Sequence, residues 1–192
     1  MTSKQIEYVV ELLMAKNIVL ERGLNDDEVK NAELKHAFQF PPDLRLFLQT
    51  ALPVSTGFPN WRHDDAELKQ QVSWPRDGIV FDLEENDFWL PAWGEKPEAI
   101  EEARMVVIDM ISRAAPLIPI YTHRYLPAEP CDSGNPIFSV YQTEVIRYAD
   151  TLINYFENEF AENPQFPSDM EPRPIPFWDD LIDRGGTIET TG

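Results

Sequence analysis

The sequence is poor in cysteine, glycine and long apolar runs. Its single cysteine, Cys131, cannot form a disulfide within the chain, which excludes a disulfide-stapled secreted fold. Its eight glycines form neither a G-x-G-x-x-G nor a Walker pattern, so no phosphate-binding loop is expected. Near the N-terminus, Glu7, Glu11 and Lys16 interrupt the apolar residues at helical spacing, which predicts neither a signal peptide nor a membrane span. We therefore expect a cytoplasmic protein.

Basic residues are also scarce. The chain has 16 Lys and Arg residues against 34 Asp and Glu residues, a formal net charge of −18. A phosphate backbone or an anionic membrane needs a basic face, so neither is an expected partner. The charge instead predicts attraction to cationic proteins, with faster association at low salt. Solubility alone is the alternative reason for the acidity.

The chain has enough apolar residues for a full core. Its 192 residues suit one domain, and 43% of them are hydrophobic and 11% aromatic. Wholesale disorder is therefore not expected.

Helical periodicity dominates the first 70 residues. It predicts a helix from Lys4 to Glu21, a second helix capped by Asn25 with Glu28 at capping-box spacing, and a third that begins at Pro42. Asp64 and Glu67 are predicted to cap a modest fourth helix that ends near Val72.

The pattern then changes to alternation. Ile79, Phe81 and Leu83 alternate with Val80 and Asp82, which predicts a strand, with a turn at 84–86 and a returning strand at 88–90. A helix is predicted from Pro97 to Arg113.

Further strands are predicted in the second half. "PLIPIYTHRY" and "PIFSVYQ" have the composition of buried strands, and a helix is expected from Ala149 to Phe160. The stretch "HRYLPAEPCDSGNPIFSVY" is interpreted as a strand, a Pro-rich connection and a second strand, with Arg124 and Glu129 tying the connection together.

The order of these elements predicts the fold class. Helices cluster early and strands late without βαβ alternation, which favours an α+β fold with a central, mainly antiparallel sheet flanked by helices. The predicted domain covers residues 1–162. Residues 163–192, with five prolines, are predicted to form an irregular tail anchored by Phe177 and Trp178 and frayed after Gly185.

The residues with reactive side chains form no catalytic or metal-binding pattern. His36, His63 and His123 are far apart and lack zinc-site spacing. Asp132 beside Cys131 is expected to raise the pKa of the thiol and disfavour the thiolate. We therefore predict no catalytic residue, metal or cofactor, and a protein that is not an enzyme. A hydrolase that uses His123 or paired carboxylates is the less favoured alternative.

One segment combines charge with large rings. From Asp64 to Glu102 there are twelve acids and three bases, with Trp74, Phe81, Phe88, Trp89 and Trp93 interleaved. Aromatic anchors inside a charged rim are the usual anatomy of a protein interface. The predicted partner-binding residues are Asp82, Glu84, Glu85, Asp87 and Trp89. The alternative is that the rings belong to the core.

Several of these blocks resemble a known family. "FPPDLRLFL" resembles the Pro-led helix of the SUKH superfamily, and "DGIVFDLEENDFWLPAWGEKP", "PLIPIYTHRYLPAEP" and "GNPIFSVYQTEVIRYADTLINYF" resemble blocks of its bacterial members. The resemblance covers roughly residues 37–160. It implies an α+β domain with a binding role, because bacterial members neutralise toxins from neighbouring cells and the yeast member regulates cell-wall glucan synthesis. No catalytic residues are implied.

The combined prediction is a protein that neutralises a toxin. An acidic surface would dock onto a cationic, nuclease-like toxin and block its substrate. A regulatory scaffold in a cell-wall or signalling pathway is the alternative.

Overall fold

The computed structural model describes residues 1–63, 65–167 and 171–183, and within them the chain adopts an α+β fold. The helices there are α1 (Ser3–Ala15), α2 (Asp26–His36), α3 (Pro42–Thr50), α4 (Ala66–Glu85), α5 (Ile100–Arg113), α6 (Leu152–Phe160) and α7 (Trp178–Asp183). The strands are β1 (Leu20–Arg22), β2 (Ala51–Pro53), β3 (Leu117–Tyr121), β4 (Arg124–Pro127), β5 (Ile137–Tyr141) and β6 (Glu144–Ala149).

A four-stranded sheet separates two hydrophobic cores. Its strands pair in the order β3-β4-β5-β6, each antiparallel to its neighbour. Neighbouring side chains on a strand point to opposite faces, so Ile118 joins the first core and Leu117 the second. The first core contains α1, α2, α3 and α6, and the second contains most of α4 with α5 and α7. The predicted central sheet flanked by helices is confirmed.

Helices α2 and α3 begin where the sequence predicts, and α1 begins at Ser3, one residue before its predicted start. Thr2 and Asn25 each form a capping box, with Gln5 and Glu28 respectively, and Pro42 opens α3. The prediction that the first helix reaches Glu21 is wrong. Helix α1 stops at Ala15, and Leu20–Arg22 pairs with Ala51–Pro53 in a two-stranded sheet.

A strand predicted at residues 79–83, with its partner at 88–90, is also wrong. Residues 79–83 lie near the end of α4, a 20-residue helix capped by Asp65 that contains Pro75, and residues 88–90 lie in the connection that follows it. Of the two residues predicted to cap this helix, Asp64 lies outside the described residues and Glu67 lies in the first turn. The predicted end near Val72 is wrong, because the helix continues to Glu85. Because Pro75 has no N–H, it cannot donate to the carbonyl of Gln71 one turn earlier. The Tyr125 hydroxyl donates to that carbonyl instead, at 2.9 Å, so the sheet supplies the hydrogen bond that proline removes.

The later elements largely follow the sequence pattern. Residues 123–141 form a strand, a connection and a strand, as predicted, and α6 follows β6. Helix α5 begins at Ile100 and not at Pro97. The predicted pair of Arg124 with Glu129 is corrected: the Arg124 guanidinium pairs with Glu159, with Nε 3.4 Å from the carboxylate, and donates to the Ser139 hydroxyl at 2.8 Å.

The described part of the C-terminal tail is irregular up to α7. Phe177 and Trp178 are buried in the second core, which confirms them as anchors. The indole N–H of Trp178 donates to the Ala115 carbonyl at 2.8 Å, and Arg147 pairs with Asp179 at 2.6 Å. The predicted fraying after Gly185 falls outside the described residues.

The bond from Tyr125 to Gln71 predicts a specific double-mutant result. Tyr125→Phe leaves the Gln71 carbonyl without a donor and should lower the free energy of unfolding by about 1–2 kcal/mol. In a Pro75→Ala background the loss should shrink, because alanine at this position supplies the missing helical N–H. Urea denaturation of the four proteins of the cycle measures the coupling. Equal losses in both backgrounds would show that the hydroxyl does not replace the helical bond.

Candidate protein-docking surface

The predicted partner-binding residues lie where α4 ends and the connection to α5 begins. Asp87 follows the helix in a left-handed conformation, with φ 54°, and the Phe88 N–H turns back to the Asp82 carbonyl at 3.0 Å. A short 3-10 helix at Pro91–Trp93 leads toward α5. Helices α4 and α5 pack against each other, so the connection forms one end of a helix pair.

Asp82 does not belong to this surface, which corrects the sequence-based prediction. Its side chain is buried, with 6% exposure, and accepts hydrogen bonds from the Thr143 N–H at 2.9 Å and the Thr143 hydroxyl at 2.5 Å. The Asn86 side chain donates to the other carboxylate oxygen at 2.7 Å. Gly78, one turn earlier, lets Gln142 approach so closely that a Cβ there would lie 2.8 Å from the Gln142 Cα. Asp82 therefore fastens the turn between β5 and β6 to α4.

The other three predicted acids are exposed. Glu84 pairs with Arg104 of α5 at 3.0 Å, which bridges the two helices. Asp87, whose side chain is 95% exposed, pairs with Lys96, and this hydrogen bond lowers the pKa of Asp87 below its usual value. Glu85 has no ion-pair partner among the described residues.

Trp89 lies half-buried beside these acids. Its indole N–H donates to the Gly94 carbonyl at 2.8 Å, and its ring meets the edge of Trp93 at a centroid distance of 5.4 Å. Trp93 is buried and stacks on Phe177. For this ring, the alternative that it belongs to the hydrophobic core is confirmed. Phe81, by contrast, is 48% exposed one turn before Glu84 and Glu85.

Four further exposed acids extend the surface into α5. They are Glu95, Glu98, Glu101 and Glu102. Glu101 and Glu102 occupy the first turn of α5, where carboxylates also stabilise the helix dipole. These four belong to the acid-rich segment but not to the predicted site, because the sequence does not show the direction of α5 relative to α4. We call Glu84, Glu85, Asp87, Trp89, Glu95, Glu98, Glu101 and Glu102 the connection surface.

The histidines are not brought together by the fold. His36 on α2 lies near Phe38, at a ring distance of 5.9 Å, whereas His123 lies at the turn between β3 and β4. Burial and the nearby Arg124 lower the pKa of His123. Among the described residues that line the cavity beside His123, Glu67 is the only acid. Over the same described ranges, no group of three or more His, Cys, Asp or Glu residues is placed to hold a metal ion.

Cys131 lies exposed in the connection between β4 and β5. Its thiol approaches the Phe40 carbonyl at 3.8 Å. Partial burial raises the pKa of the thiol, and the nearby Glu33 and Asp132 carboxylates raise it further. The predicted direction of the shift is confirmed, although burial is the larger cause.

Comparison with known proteins gave no match to a family model, to a curated protein or to a solved structure. The SUKH resemblance therefore stays a prediction from the sequence. Across the described ranges, no helix combines the length and the apolar content needed to cross a membrane.

The role of Asp82 can be tested by stability. Asp82→Ala leaves the Thr143 N–H and hydroxyl without their acceptor and should lower the free energy of unfolding by about 2–3 kcal/mol. Glu85→Ala, an exposed change on the same helix, should stay within about 0.5 kcal/mol of the wild type. Chemical denaturation measures both variants. If Asp82→Ala lowers the free energy of unfolding as little as Glu85→Ala does, the Asp82 carboxylate does not stabilise the fold and Asp82 is again a candidate partner-binding residue.

The raised pKa of Cys131 predicts slow alkylation. In the folded protein at pH 7.5, iodoacetamide should react more slowly than with the same cysteine in urea-unfolded protein. The thiolate fraction falls about tenfold for each unit by which the pKa rises. Because the chain has one cysteine, mass spectrometry gives the rate directly. Faster reaction in the folded state would point to an activated nucleophile.

Proposed function

We propose that this chain is a non-catalytic protein-binding domain that docks its connection surface onto a cationic protein. The observation that carries the proposal is an unbalanced charge: residues 84–104 contain seven exposed acids and two bases, Lys96 and Arg104. Both bases are already paired, with Asp87 and Glu84. Five carboxylates on this surface are left without an ion-pair partner among the described residues.

Unpaired carboxylates favour a partner of opposite charge for two reasons. They create a negative potential that speeds encounter with a basic surface, an effect that falls with ionic strength. They also contribute a more favourable binding free energy than paired carboxylates, because no existing ion pair has to be broken first. Glu85, Glu95 and Glu98 meet both conditions, and each is exposed outside the first turn of α5.

A ring held in place among these charges supports the same function. The hydrogen bond to Gly94 and the edge contact with Trp93 fix Trp89 before a partner arrives. A preorganised aromatic side chain loses little conformational entropy on binding, which is why such residues dominate interface energetics. The half-exposed Phe81 adds apolar area one turn away.

The resemblance to the SUKH superfamily suggests the kind of partner. The proposed partner is a toxin with a basic active-site cleft, such as a nuclease, which an acidic surface would occupy in place of the nucleic acid. Such a protein would act in the cytoplasm, where the toxin meets its substrate. The net charge of −18 supports this proposal because it disfavours direct binding of nucleic acid by the chain itself.

Co-expression tests the proposal. Each protein encoded beside this gene is expressed alone and together with the chain, and we expect one basic neighbour to be toxic alone and harmless with it. Purified proteins should then form a complex. If no neighbour binds and none is neutralised, the proposal is wrong.

A matched pair of charge reversals then tests the docking surface. Glu85→Lys with Glu98→Lys should slow association about tenfold or more at low salt, and the difference should shrink in high salt. Glu7→Lys with Glu11→Lys changes the net charge equally on the exposed side of α1, on the other side of the sheet, and should have a much smaller effect. Stopped-flow measurements at two salt concentrations give both rates. Equal slowing by both pairs would mean that overall charge, and not this surface, attracts the partner.

A further inference from the structure

An open cavity lies between the first half of α4 and the turn that joins β3 to β4. Its volume is about 340 Å³, within the usual size range of small-molecule sites. Aromatic rings form much of its wall. The lining residues are Trp74, His123, Tyr125, Tyr141, Glu67, Gln70, Gln71 and Thr122. Ten residues of α4, or about 15 Å of helix, separate Trp74 from the first acid of the connection surface. The cavity is therefore a separate feature.

Two polar atoms at this cavity have no hydrogen-bond partner within the described part of the chain. They are the Gln71 side-chain oxygen, an acceptor, and the Trp74 indole N–H, a donor, and both are buried. A buried polar group without a partner costs free energy that a complementary ligand recovers. The two residues are three positions apart, so they lie on one face of α4. The lining residues thus include one acceptor and one donor that are both buried without a partner.

Two other polar groups of the wall already have a partner within the chain. The Tyr125 hydroxyl donates to the Gln71 backbone carbonyl, and the Nδ1 atom of His123 lies 3.3 Å from the Thr122 hydroxyl. Burial and Arg124 lower the pKa of His123, which favours the uncharged form of its ring. The described lining contains no Lys or Arg, and Glu67 is acidic. An anionic ligand is therefore disfavoured.

The shape of the wall favours a flat ligand. Trp74 and Tyr141 enclose one side at a centroid distance of 6.2 Å and an angle of 58°. Tyr141 is 57% exposed, so part of its side chain is accessible to a ligand. Aromatic side chains bind planar rings through offset or edge contacts at such distances.

We propose that this cavity binds a small, flat, uncharged heterocycle that carries an N–H group beside a carbonyl, as uracil and other lactams do. The ligand N–H donates to the Gln71 side-chain oxygen, and its carbonyl accepts from the Trp74 indole N–H. Its ring packs against Tyr141 and His123. Gln71 and Trp74 are both partly exposed, and binding requires a rotation of their side chains that brings the two buried atoms onto the cavity wall.

Three related probes test the hydrogen-bond pattern. Uracil should shift the Trp74 indole resonance in a nitrogen–proton correlation spectrum, with the resonance assigned through Trp74→Phe. The ring of 1,3-dimethyluracil has no N–H, so its affinity should be lower by about tenfold or more. Orotate, which adds a carboxylate to uracil, should also bind more weakly. Absence of a uracil-induced shift, or equal affinity for 1,3-dimethyluracil, would overturn the proposal.

Variants of the two polar side chains complete the test by calorimetry. Gln71→Leu and Trp74→Phe keep much of the side-chain volume and should each weaken uracil binding about tenfold or more. Gln39→Leu, an exposed change outside the cavity, should leave uracil affinity unchanged. Circular dichroism checks that each variant is folded. Unchanged uracil affinity in Gln71→Leu would contradict the proposal. If the wild type binds no uracil and Gln71→Leu is more stable than the wild type, the buried oxygen of Gln71 only destabilises the fold and the cavity is not a binding site.

Discussion

The alternation of side chains along β3 to β6 is the constraint on which the rest of the structure depends. It sends neighbouring residues such as Leu117 and Ile118 into different cores, so most helices contribute to one core only. Helix α4 is the exception: Leu68 lies in the first core, and Ile79 and Leu83 lie in the second. Because both cores hold α4, its two ends are fixed relative to the sheet.

Two polar contacts complete this attachment. The Tyr125 hydroxyl reaches the carbonyl that Pro75 leaves without a donor, and the Asp82 carboxylate receives the Thr143 N–H and hydroxyl. The first contact lies beside the cavity, and the second lies just before the connection surface. Each proposed site is therefore next to a point where α4 is anchored to the sheet, and such support is what a preorganised site requires.

Local signals in the sequence were enough for much of the fold. The start of α2 at the Asn25 capping box, the start of α3 at Pro42 and the late strands were predictable, because capping side chains, proline and period-two patterns act locally. Helix α4 was not, since Pro75 usually interrupts a helix and the compensating hydroxyl comes from a residue fifty positions later. A helical interpretation would have placed Asp82 with Ile79 and Leu83 on the buried face, because they follow at three- and four-residue spacing. The cavity is lined by residues of α4, β4 and β5, which are far apart in the sequence, so no local sequence pattern could predict it.

Hydrogen–deuterium exchange on the complex with the neutralised basic protein tests the docking account most directly. It measures which backbone amides the partner protects, without altering any residue of either protein. The account predicts that protection concentrates in residues 84–102, with α1 and α6 exchanging as in the free chain. Protection confined to α1 and α6, with the connection between α4 and α5 unchanged, would contradict it.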